Sequence, residues 1–503
     1  MAAVKTEPAF GAADPDPSLY QINTRVWLRE LSRRLGRTAT LDDVPDVALD
    51  RLAQEGFDWV WFLGVWQTGE AGRQIALGHP GLLQEYRRVL PGLRDGDVCS
   101  SCFAVTGYTV HSGLGGNEAL IRLRERLHQL GVRLLLDFVP NHVASDHPWT
   151  SEHPDFFVPG TEESLAREPQ NYCRIQTAPG SRVLAHGRDP FFPGWTDTLQ
   201  LNYGNPALQE AMMEELAKVA ELGDGVRCDM AMLVLPEIFQ RTWGIAAEPF
   251  WPKAIQRVRQ SHPKFLFMAE VYWDLEWTLQ QQGFDYTYDK RLYDRLREQH
   301  ARPVWDHLRA DRAFQNKSAR FLEKHDESRA AATFPPKVHQ AAAVLTFLVP
   351  GLRFFHQGQW AGWKRRLPVQ LCRRPMEATD LEVQDYYRRL LACLRNPVVR
   401  EGRWQILERV PAWEGNWTWD CFIAFSWEGK DGQRLLGVVN YAPNHSQCYV
   451  GLPFPDLGGG RFRLRDLMGT ASYDREGDAL MTKGLYLDMP EWGYHVFEMS
   501  KIG

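Results

Sequence analysis

Chemically reactive side chains follow several short apolar runs of this sequence, each near the point where its run ends. In chain order they are Asp137, Asn141, His142, Arg227, Asp229, Glu270, Lys324, His325 and Asp326. A single acidic residue in such a place is usually a helix N-cap or the partner of a surface cation. Carboxylates, histidines and an arginine at the ends of successive strands instead indicate one site, in which carboxylates can act as nucleophile and proton donor.

Two of these carboxylates have different predicted environments. Arg227 lies two residues before Asp229, so both side chains point to the same face of a strand. A guanidinium in that position keeps Asp229 ionised and oriented. Glu270 lies between the apolar stretches 267–269 and 271–273, which favour a raised carboxyl pKa.

Short apolar runs of strand type alternate along the chain with amphipathic helical segments. The run 56–66 is apolar with few interruptions, as in a buried strand. Asn205 and Pro206 predict a helix start, and Gly131 is a candidate residue in the left-handed conformation after an earlier helix. About eight strand candidates precede residue 356, the later ones near 284–286, 321–326 and 352–355. Their number predicts an α/β fold with a (β/α)8 TIM barrel. Functional side chains of such barrels lie at the C-terminal ends of the strands.

The pattern divides the chain into four parts. Residues 1–18 predict a flexible tail, and 19–142 with 205–402 predict the barrel. Residues 143–204 have no clear period and are too many for an ordinary loop, which predicts a subdomain inserted after strand 3. In 403–503, short strands separated by turns predict a C-terminal antiparallel β domain, a β-sandwich.

The composition is typical of a folded soluble protein, with 44% hydrophobic and 24% charged residues. The 58 basic and 63 acidic residues give a net charge of −5, which predicts binding neither to nucleic acid nor to a membrane. The sequence contains no apolar segment typical of a signal peptide or a membrane span, so we expect a cytoplasmic protein. Aromatic residues are 12% of the chain and fit either a large core or a pocket for a flat polar ligand.

The reactive residues form four ordered motifs that resemble the α-amylase family of glycoside hydrolases, glycoside hydrolase family 13. The motifs are Asp137–His142, Gly225–Met232, Phe267–Glu270 and Phe321–Asp326. Each is weak alone, whereas the set in this order is specific. The resemblance implies a barrel followed by a β domain, and an enzyme that cleaves α-glucosidic bonds of α-glucans or maltooligosaccharides.

The resemblance also implies roles for individual residues. Asp229 is the implied nucleophile that forms a covalent glycosyl-aspartate, and Glu270 is the general acid and then the general base. Asp326 is the implied carboxylate that holds sugar hydroxyls and favours ring distortion. The implied substrate-binding residues are Tyr108, His142, Arg227 and His325, with the Tyr108 ring stacked under the sugar. Asp137 is expected to support the site rather than to react.

The chemistry implied by this family requires no cofactor, although a structural calcium ion is a further expectation. Asn141 is the candidate metal ligand, with Asp146 or Asp189 as further donors. The pair Cys99 and Cys102 has no second pair, so we expect ordinary thiols there rather than a zinc site.

Two positions depart from the common pattern of the family. Many starch-degrading members carry Lys and His just after the nucleophile, whereas 230–233 is apolar here. The fourth motif has Lys324 where Asn is common. The first departure puts in doubt classical endo-acting behaviour and part of a calcium site.

Several functions stay open at this stage. A transglycosylase or isomerase of the same family would use the same three carboxylates. A non-catalytic sugar-binding protein would not require all three. A metal-dependent hydrolase on a similar barrel could use His142, His147, His153 and Asp137, although the usual His-x-His at an early strand end is absent. The expected partner is an oligosaccharide or α-glucan, and the sequence predicts no oligomeric state.

Overall fold

A closed barrel of eight parallel strands forms the centre of the protein, whose computed structural model describes residues 16–177 and 180–502. Each strand pairs with the next along the chain, and the last pairs with the first. The strands are β1 (Ser18–Asn23), β2 (Trp59–Leu63), β3 (Arg133–Phe138), β4 (Gly225–Cys228), β5 (Leu266–Ala269), β6 (Tyr286–Tyr288), β7 (Ser318–Arg320) and β8 (Leu352–His356). The predicted (β/α)8 barrel is confirmed.

The barrel strands are covered on both faces, by the barrel interior and by the surrounding helices. All five residues of β2 and all five of β8 are buried. Burial on both faces explains why these strands read as continuous apolar runs in the sequence.

Helices surround the barrel, and several of them begin at a residue whose side chain caps the helix. They are Thr24–Leu35, Asp46–Gln54, Gly116–Gln129, Pro206–Leu222, Pro236–Trp243, Trp251–Ser261, Glu276–Gln281, Lys290–Glu298, Ala301–Leu308, Arg312–Asn316, Ala330–Thr333, Pro336–Phe347, Leu381–Leu394 and Pro397–Glu401. The Asn205 side chain accepts a hydrogen bond from the Ala207 amide at 2.9 Å, as expected for an N-cap. Gly131 has a φ of 75°, so both capping predictions are confirmed.

The segment 143–204, predicted to be an inserted subdomain, contains short antiparallel ribbons and helices. The pairs are His142–Ala144 with Thr198–Gln200 and Tyr172–Thr177 with Gly180–Ala185, and the helices are Trp149–Glu152 and Glu162–Arg167. The first ribbon begins just after β3 and therefore holds the inserted segment beside the barrel mouth.

A second excursion, between β2 and the helix Gly116–Gln129, is not anticipated by the sequence interpretation. Strand Trp66–Thr68 pairs with Val105–Val110. Two helices, Glu70–Gly78 and Pro80–Val89, lie between these strands. Their amphipathic pattern is that of ordinary barrel helices, so periodicity alone does not separate them from the barrel.

Two predicted strand positions are wrong by a few residues. The sequence placed a strand at 321–326, whereas β7 comprises Ser318–Arg320. β7 is buried but polar, and Arg320 donates a hydrogen bond from Nε to the Pro350 carbonyl at 2.7 Å, so a hydrophobic pattern does not reveal it. Likewise β6 lies two residues after its predicted position at 284–286. The fourth motif therefore lies in the loop after β7.

The predicted tail, 1–18, lies mostly outside the described residues, which begin at Asp16. Its last residue, Ser18, already belongs to β1. The Pro17 carbonyl accepts a hydrogen bond from the Arg353 amide at 2.9 Å, so the chain joins the barrel edge from this point.

Two antiparallel sheets form the C-terminal region. The six-stranded sheet contains, in spatial order, Arg403–Ile406, Phe422–Glu428, Arg434–Asn440, Tyr494–Lys501, Arg461–Asp466 and Ser472–Glu476; the three-stranded sheet contains Arg409–Val410, Ser446–Val450 and Leu485–Met489; the helix is Gly477–Thr482. Side chains of both sheets, such as Leu436 and Leu487, share one core. The predicted C-terminal antiparallel β domain is confirmed.

Hydrogen bonds from buried aromatic side chains join the C-terminal domain to the barrel region. The Trp427 indole donates to the Leu348 carbonyl at 2.7 Å, and the Tyr441 hydroxyl donates to the Leu296 carbonyl at 2.7 Å. In the part of the chain that the structure describes, no helix is both long and apolar enough to cross a lipid bilayer.

We predict that Tyr441→Phe lowers the melting temperature. The change removes one buried hydroxyl and leaves the Leu296 carbonyl without its partner, which costs about 1–3 kcal/mol. Tyr473→Phe is the matched control, because Tyr473 is 40% exposed. Thermal unfolding by calorimetry measures both variants, and equal melting temperatures for the two would contradict the prediction.

Candidate active site

The loops that follow β4, β5 and β7 bring the three predicted carboxylates to one mouth of the barrel. The Asp229 amide donates to the Phe138 carbonyl at 2.8 Å, and the Glu270 amide donates to the Cys228 carbonyl at 3.0 Å. These bonds continue the β3–β4–β5 ladder by one residue, so both carboxylates stand on the rigid rim. Asp326 lies further out, in the loop after β7.

Arg227, in β4, is completely buried and bridges two of the carboxylates. Its Nη1 lies 2.6 Å from Asp229 Oδ1, and its Nη2 lies 2.5 Å from Glu270 Oε2. Its Nε donates to the Tyr288 hydroxyl at 3.1 Å. Arg227 therefore orients both carboxylates, and the sequence predicted only its contact with Asp229.

Four donors surround the Glu270 carboxylate. Oε2 forms an ion pair with Arg227 Nη2 and accepts a hydrogen bond from the Met230 amide at 3.0 Å. Oε1 accepts from the Tyr272 hydroxyl at 2.8 Å and faces Lys324 Nζ at 3.5 Å. All four favour the ionised form.

The pKa values of the two rim carboxyls are shifted in the order opposite to the sequence prediction. Burial raises the pKa of Glu270, but Arg227 and Lys324 outweigh burial and lower its pKa below the usual range. Burial raises the pKa of Asp229 to about 7, against the attraction of Arg227. The apolar residues beside Glu270 in sequence therefore gave a wrong prediction of its pKa, because the charged groups around Glu270 come from other strands.

Residues with strained backbone follow both rim carboxylates, directly after Asp229 and three to four residues after Glu270. Met230 has a φ of 42°, and Trp273 and Asp274 have φ values of 64° and 62°. Left-handed conformations of non-glycine residues cost about 1–3 kcal/mol each. At Met230 this conformation accompanies the hydrogen bond from its amide to Glu270.

The loop 321–326 carries Asp326 at the open side of the mouth, where 45% of its side chain is exposed. Asp326 Oδ2 lies 2.9 Å from His325 Nε2 and 3.1 Å from Lys324 Nζ. On the other side of the ring, the Gln21 amide nitrogen lies 2.8 Å from His325 Nδ1. His325 and Lys324 hold the pKa of Asp326 well below its usual range, although burial acts in the opposite direction.

His142 joins the inserted segment to the mouth. Its ring lies 5.0 Å from the ring of Trp195, and burial lowers its pKa to about 3, so the ring is neutral. A Cβ on Gly187 would lie 2.7 Å from the His142 Cβ. Glycine at that position therefore allows the inserted segment to pass over His142.

Tyr108 is not placed where a sugar could stack on it, which corrects the sequence expectation. Its hydroxyl donates to the Val139 carbonyl at 3.1 Å and accepts from the Val139 amide at 2.8 Å. Its ring is buried against Trp66 and Phe138. Tyr108 thus fastens the second excursion to the chain after β3.

Phe103 is the aromatic ring that the structure places at the mouth. It is partly exposed, and its ring centroid lies 5.3 Å from the His325 ring and 5.1 Å from the Arg227 guanidinium. The sequence interpretation missed Phe103, as it missed Tyr272 and Tyr288. Of these three residues, only Tyr272 could have been found from the sequence, because it lies two residues after Glu270.

Asp137 supports the site without facing the other carboxylates. Its Oδ1 accepts from the Trp61 indole at 3.0 Å and its Oδ2 from the Gly64 amide at 2.8 Å. Burial raises its pKa to about 6. The expectation that Asp137 has a structural role fits these contacts.

The surroundings of Asn141 do not fit a calcium ion. The Asn141 Oδ1 accepts from the Gln200 amide at 3.0 Å, and its Nδ2 donates back to Gln200 at 3.2 Å. Asp189 accepts two backbone amides, and Asp146 accepts one. Within 16–177 and 180–502, no three His, Cys, Asp or Glu side chains are grouped to hold a metal.

Comparison with known proteins gives a family match over more than half of the chain. The family model "Alpha amylase, catalytic domain" matches residues 105–388. A protein named Alpha-amylase 3, of Dictyoglomus thermophilum, is 22% identical over 54% of this chain and 56% of its own length. A trehalose synthase of Pimelobacter is 27% identical over 30% of this chain and 26% of its own length. The chain thus spans about half or less of these relatives.

A solved structure shares the fold over nearly the whole chain. The maltogenic α-amylase of Thermotoga neapolitana superposes with a TM-score of 0.68 and 18% identity, covering 96% of this chain and 98% of its own. At this identity the likeness concerns the fold alone.

We predict that a metal chelator leaves the melting temperature unchanged, because Gln200 already satisfies the Asn141 amide. Thermal unfolding with and without the chelator measures this. A calcium-dependent α-amylase treated in parallel must lose stability, as proof that chelation is effective. A fall in the melting temperature of this protein that calcium alone reverses would contradict the prediction.

Proposed function

The chain belongs to the α-amylase family, and we propose that it is a retaining enzyme that cleaves α-glucosidic bonds of α-glucans or maltooligosaccharides. The observation that carries this proposal is the Arg227 bridge between Asp229 and Glu270. One guanidinium in contact with both carboxylates supports the short separation that retaining enzymes use, about 5–5.5 Å.

The proposed first step forms a covalent intermediate on Asp229. An Asp229 oxygen attacks the anomeric carbon, the bond to the leaving oxygen breaks, and Glu270 gives that oxygen its proton. In the second step Glu270 takes a proton from water, and the resulting hydroxide displaces Asp229. Arg227 stays bound to both carboxylates and balances the charge that moves between them.

The sugar ring is held, in this proposal, by groups at the open side of the mouth. Asp326 is ionised and exposed, so it can accept hydrogen bonds from two sugar hydroxyls. His325, which contacts Asp326 through Nε2, and the neutral ring of His142 are the further sugar contacts in this proposal. Phe103 provides the apolar ring face, which matches the apolar face of a sugar.

The leaving-group side of the mouth opens into a cavity of about 600 Å³. Its lining combines Met230, Tyr272, Trp273 and Phe192 with charged side chains from Asp189, 274–276 and 290–298, and 36% of Trp273 is exposed. The cavity therefore offers a second sugar both an aromatic face and charged groups that can form hydrogen bonds with its hydroxyls.

Transfer to a sugar hydroxyl is the second candidate, favoured by the burial of the rim carboxylates. Only 7% of the Asp229 side chain and 3% of the Glu270 side chain are exposed. Limited access for water favours attack by a bound sugar, and one relative is named trehalose synthase. Products longer than maltotriose, formed from maltotriose, would establish transfer; glucose and maltose alone would establish hydrolysis.

We predict that Asp229→Asn lowers kcat on every accepted α-glucoside by roughly 10³-fold or more, because the amide cannot attack the anomeric carbon. Asp385→Asn, on an exposed helix position, is the matched control and should retain activity. Mass spectrometry after incubation with 5-fluoro-α-glucosyl fluoride should find the label on Asp229. Near-normal turnover by Asp229→Asn, or a label elsewhere, would contradict the assignment.

We predict that Phe103→Ala raises KM for maltooligosaccharides several-fold, since an aromatic contact contributes about 0.5–1.5 kcal/mol. Tyr108→Phe is expected to lower the melting temperature and leave KM unchanged, because its hydroxyl binds only the Val139 backbone. Steady-state kinetics and thermal unfolding distinguish the two. An unchanged KM in Phe103→Ala would contradict the assignment of Phe103 as the ring that contacts the sugar.

A further inference from the structure

Lys324 is a completely buried cation beside the reacting groups. Its Nζ lies 3.5 Å from Glu270 Oε1 and 3.1 Å from Asp326 Oδ2. The position is the one where the family commonly has a neutral asparagine. The proposed mechanism above gives Lys324 no task, although its charge faces two of the three carboxylates.

Carboxylates and phenol groups face Lys324 from three elements, and a second cation lies beyond them. Glu270 and Tyr272 come from the chain after β5, and the Tyr288 ring of β6 lies 5.5 Å from Nζ. Asp326 and His325 come from its own loop, and Arg227 of β4 lies on the far side of Glu270. The two carboxylates outweigh burial and raise the pKa of Lys324 well above its usual range. Nζ is therefore a permanent ammonium group.

The charge on Lys324 matters because a general acid must carry a proton. Glu270 already forms an ion pair with Arg227 and accepts hydrogen bonds from the Met230 amide and the Tyr272 hydroxyl. A second buried cation opposite Oε1 makes protonation of that carboxylate still less favourable. Asp229, by contrast, has a single charged partner, Arg227.

We propose that Lys324 is a positioning residue that holds Glu270 as a carboxylate in the resting enzyme, so that the enzyme prefers glucosyl donors whose leaving group departs without a proton. The proposal rests on the proposed function, because it assigns Glu270 as acid and base.

Such donors react without a proton from a general acid. With α-glucosyl fluoride, the Asp229 oxygen forms its bond to the anomeric carbon while the carbon–fluorine bond breaks and fluoride leaves with the electron pair. Ionised Glu270 then accepts the proton of the incoming water or sugar hydroxyl. A maltooligosaccharide instead requires a proton on Glu270 first, so its turnover falls as pH rises through the pKa of the carboxyl pair.

The test compares wild type, Lys324→Asn and Lys324→Arg on α-glucosyl fluoride and on maltotriose, as kcat and KM across pH. Loss of the cation raises the Glu270 pKa, so Lys324→Asn should move the falling limb for maltotriose to higher pH. The ratio of kcat/KM for fluoride over maltotriose at neutral pH should fall about tenfold, which corresponds to one pKa unit. The increase in maltotriose turnover by Lys324→Asn should appear in kcat rather than in KM. Lys324→Arg should keep the wild-type pH profile.

Different results overturn the two proposals separately. If α-glucosyl fluoride is turned over but Lys324→Asn keeps the wild-type pH profile and the wild-type ratio of the two kcat/KM values, the role given to Lys324 is wrong. The proposed function then stands. If wild type turns over neither donor and Asp229 is not labelled, the proposed function is wrong and this proposal falls with it.

A measurement on the unmutated lysine covers the case in which Lys324→Asn does not fold. The infrared difference between wild type and Glu270→Gln should show no protonated carboxyl band at neutral pH. A protonated Glu270 band at neutral pH would overturn the proposal.

Discussion

The positive charge of Arg227 at the centre of the barrel mouth is the constraint on which the site depends. A guanidinium without solvent contact is tolerated only when its charge and its hydrogen-bond donors are satisfied. The carboxylates of Asp229 and Glu270 balance this charge, and Asp229 and the Tyr288 hydroxyl accept hydrogen bonds from the guanidinium. Asp229 follows Arg227 on the same strand, whereas Glu270 and Tyr288 come from the chain at β5 and β6, so these three strands have to pair before the charge is fully compensated. The two rim carboxylates therefore meet because the fold must neutralise this one arginine.

The barrel alone does not make a substrate site, and two excursions complete it. The segment after β2 supplies Phe103, and Tyr108 anchors it to the backbone at Val139. The segment after β3 places Trp195 over His142, with Gly187 leaving the necessary space. Only Asp326 remains broadly exposed. The arrangement protects the reacting carboxylates from water and presents a single ionised group to an approaching sugar.

The balance of charge around Glu270 distinguishes this chain from what its motifs imply. Three carboxylates face two buried cations, Arg227 and Lys324. The protons of such a group belong to the cluster rather than to one residue. Because Glu270 contacts more donors and cations than Asp229, the resting site favours the ionised form of the residue that we propose as the general acid. Strain at Met230 contributes, since its left-handed conformation accompanies the amide contact with Glu270.

Local sequence determined the strand–helix alternation, the caps at Asn205 and Gly131, and the carboxylates at the strand ends, because these depend on periodicity and on neighbouring residues. The tertiary structure decided what no local pattern contains. It buried a polar β7, directed Tyr108 to the backbone and Phe103 to the mouth, bound Asn141 to Gln200, and surrounded Glu270 with donors. The sequence flanks of Glu270 predicted a raised pKa, yet the groups that lower it, Arg227 and Lys324, lie 43 residues before it and 54 residues after it. Proton affinity depends on distances in space, and those were set only when the barrel closed.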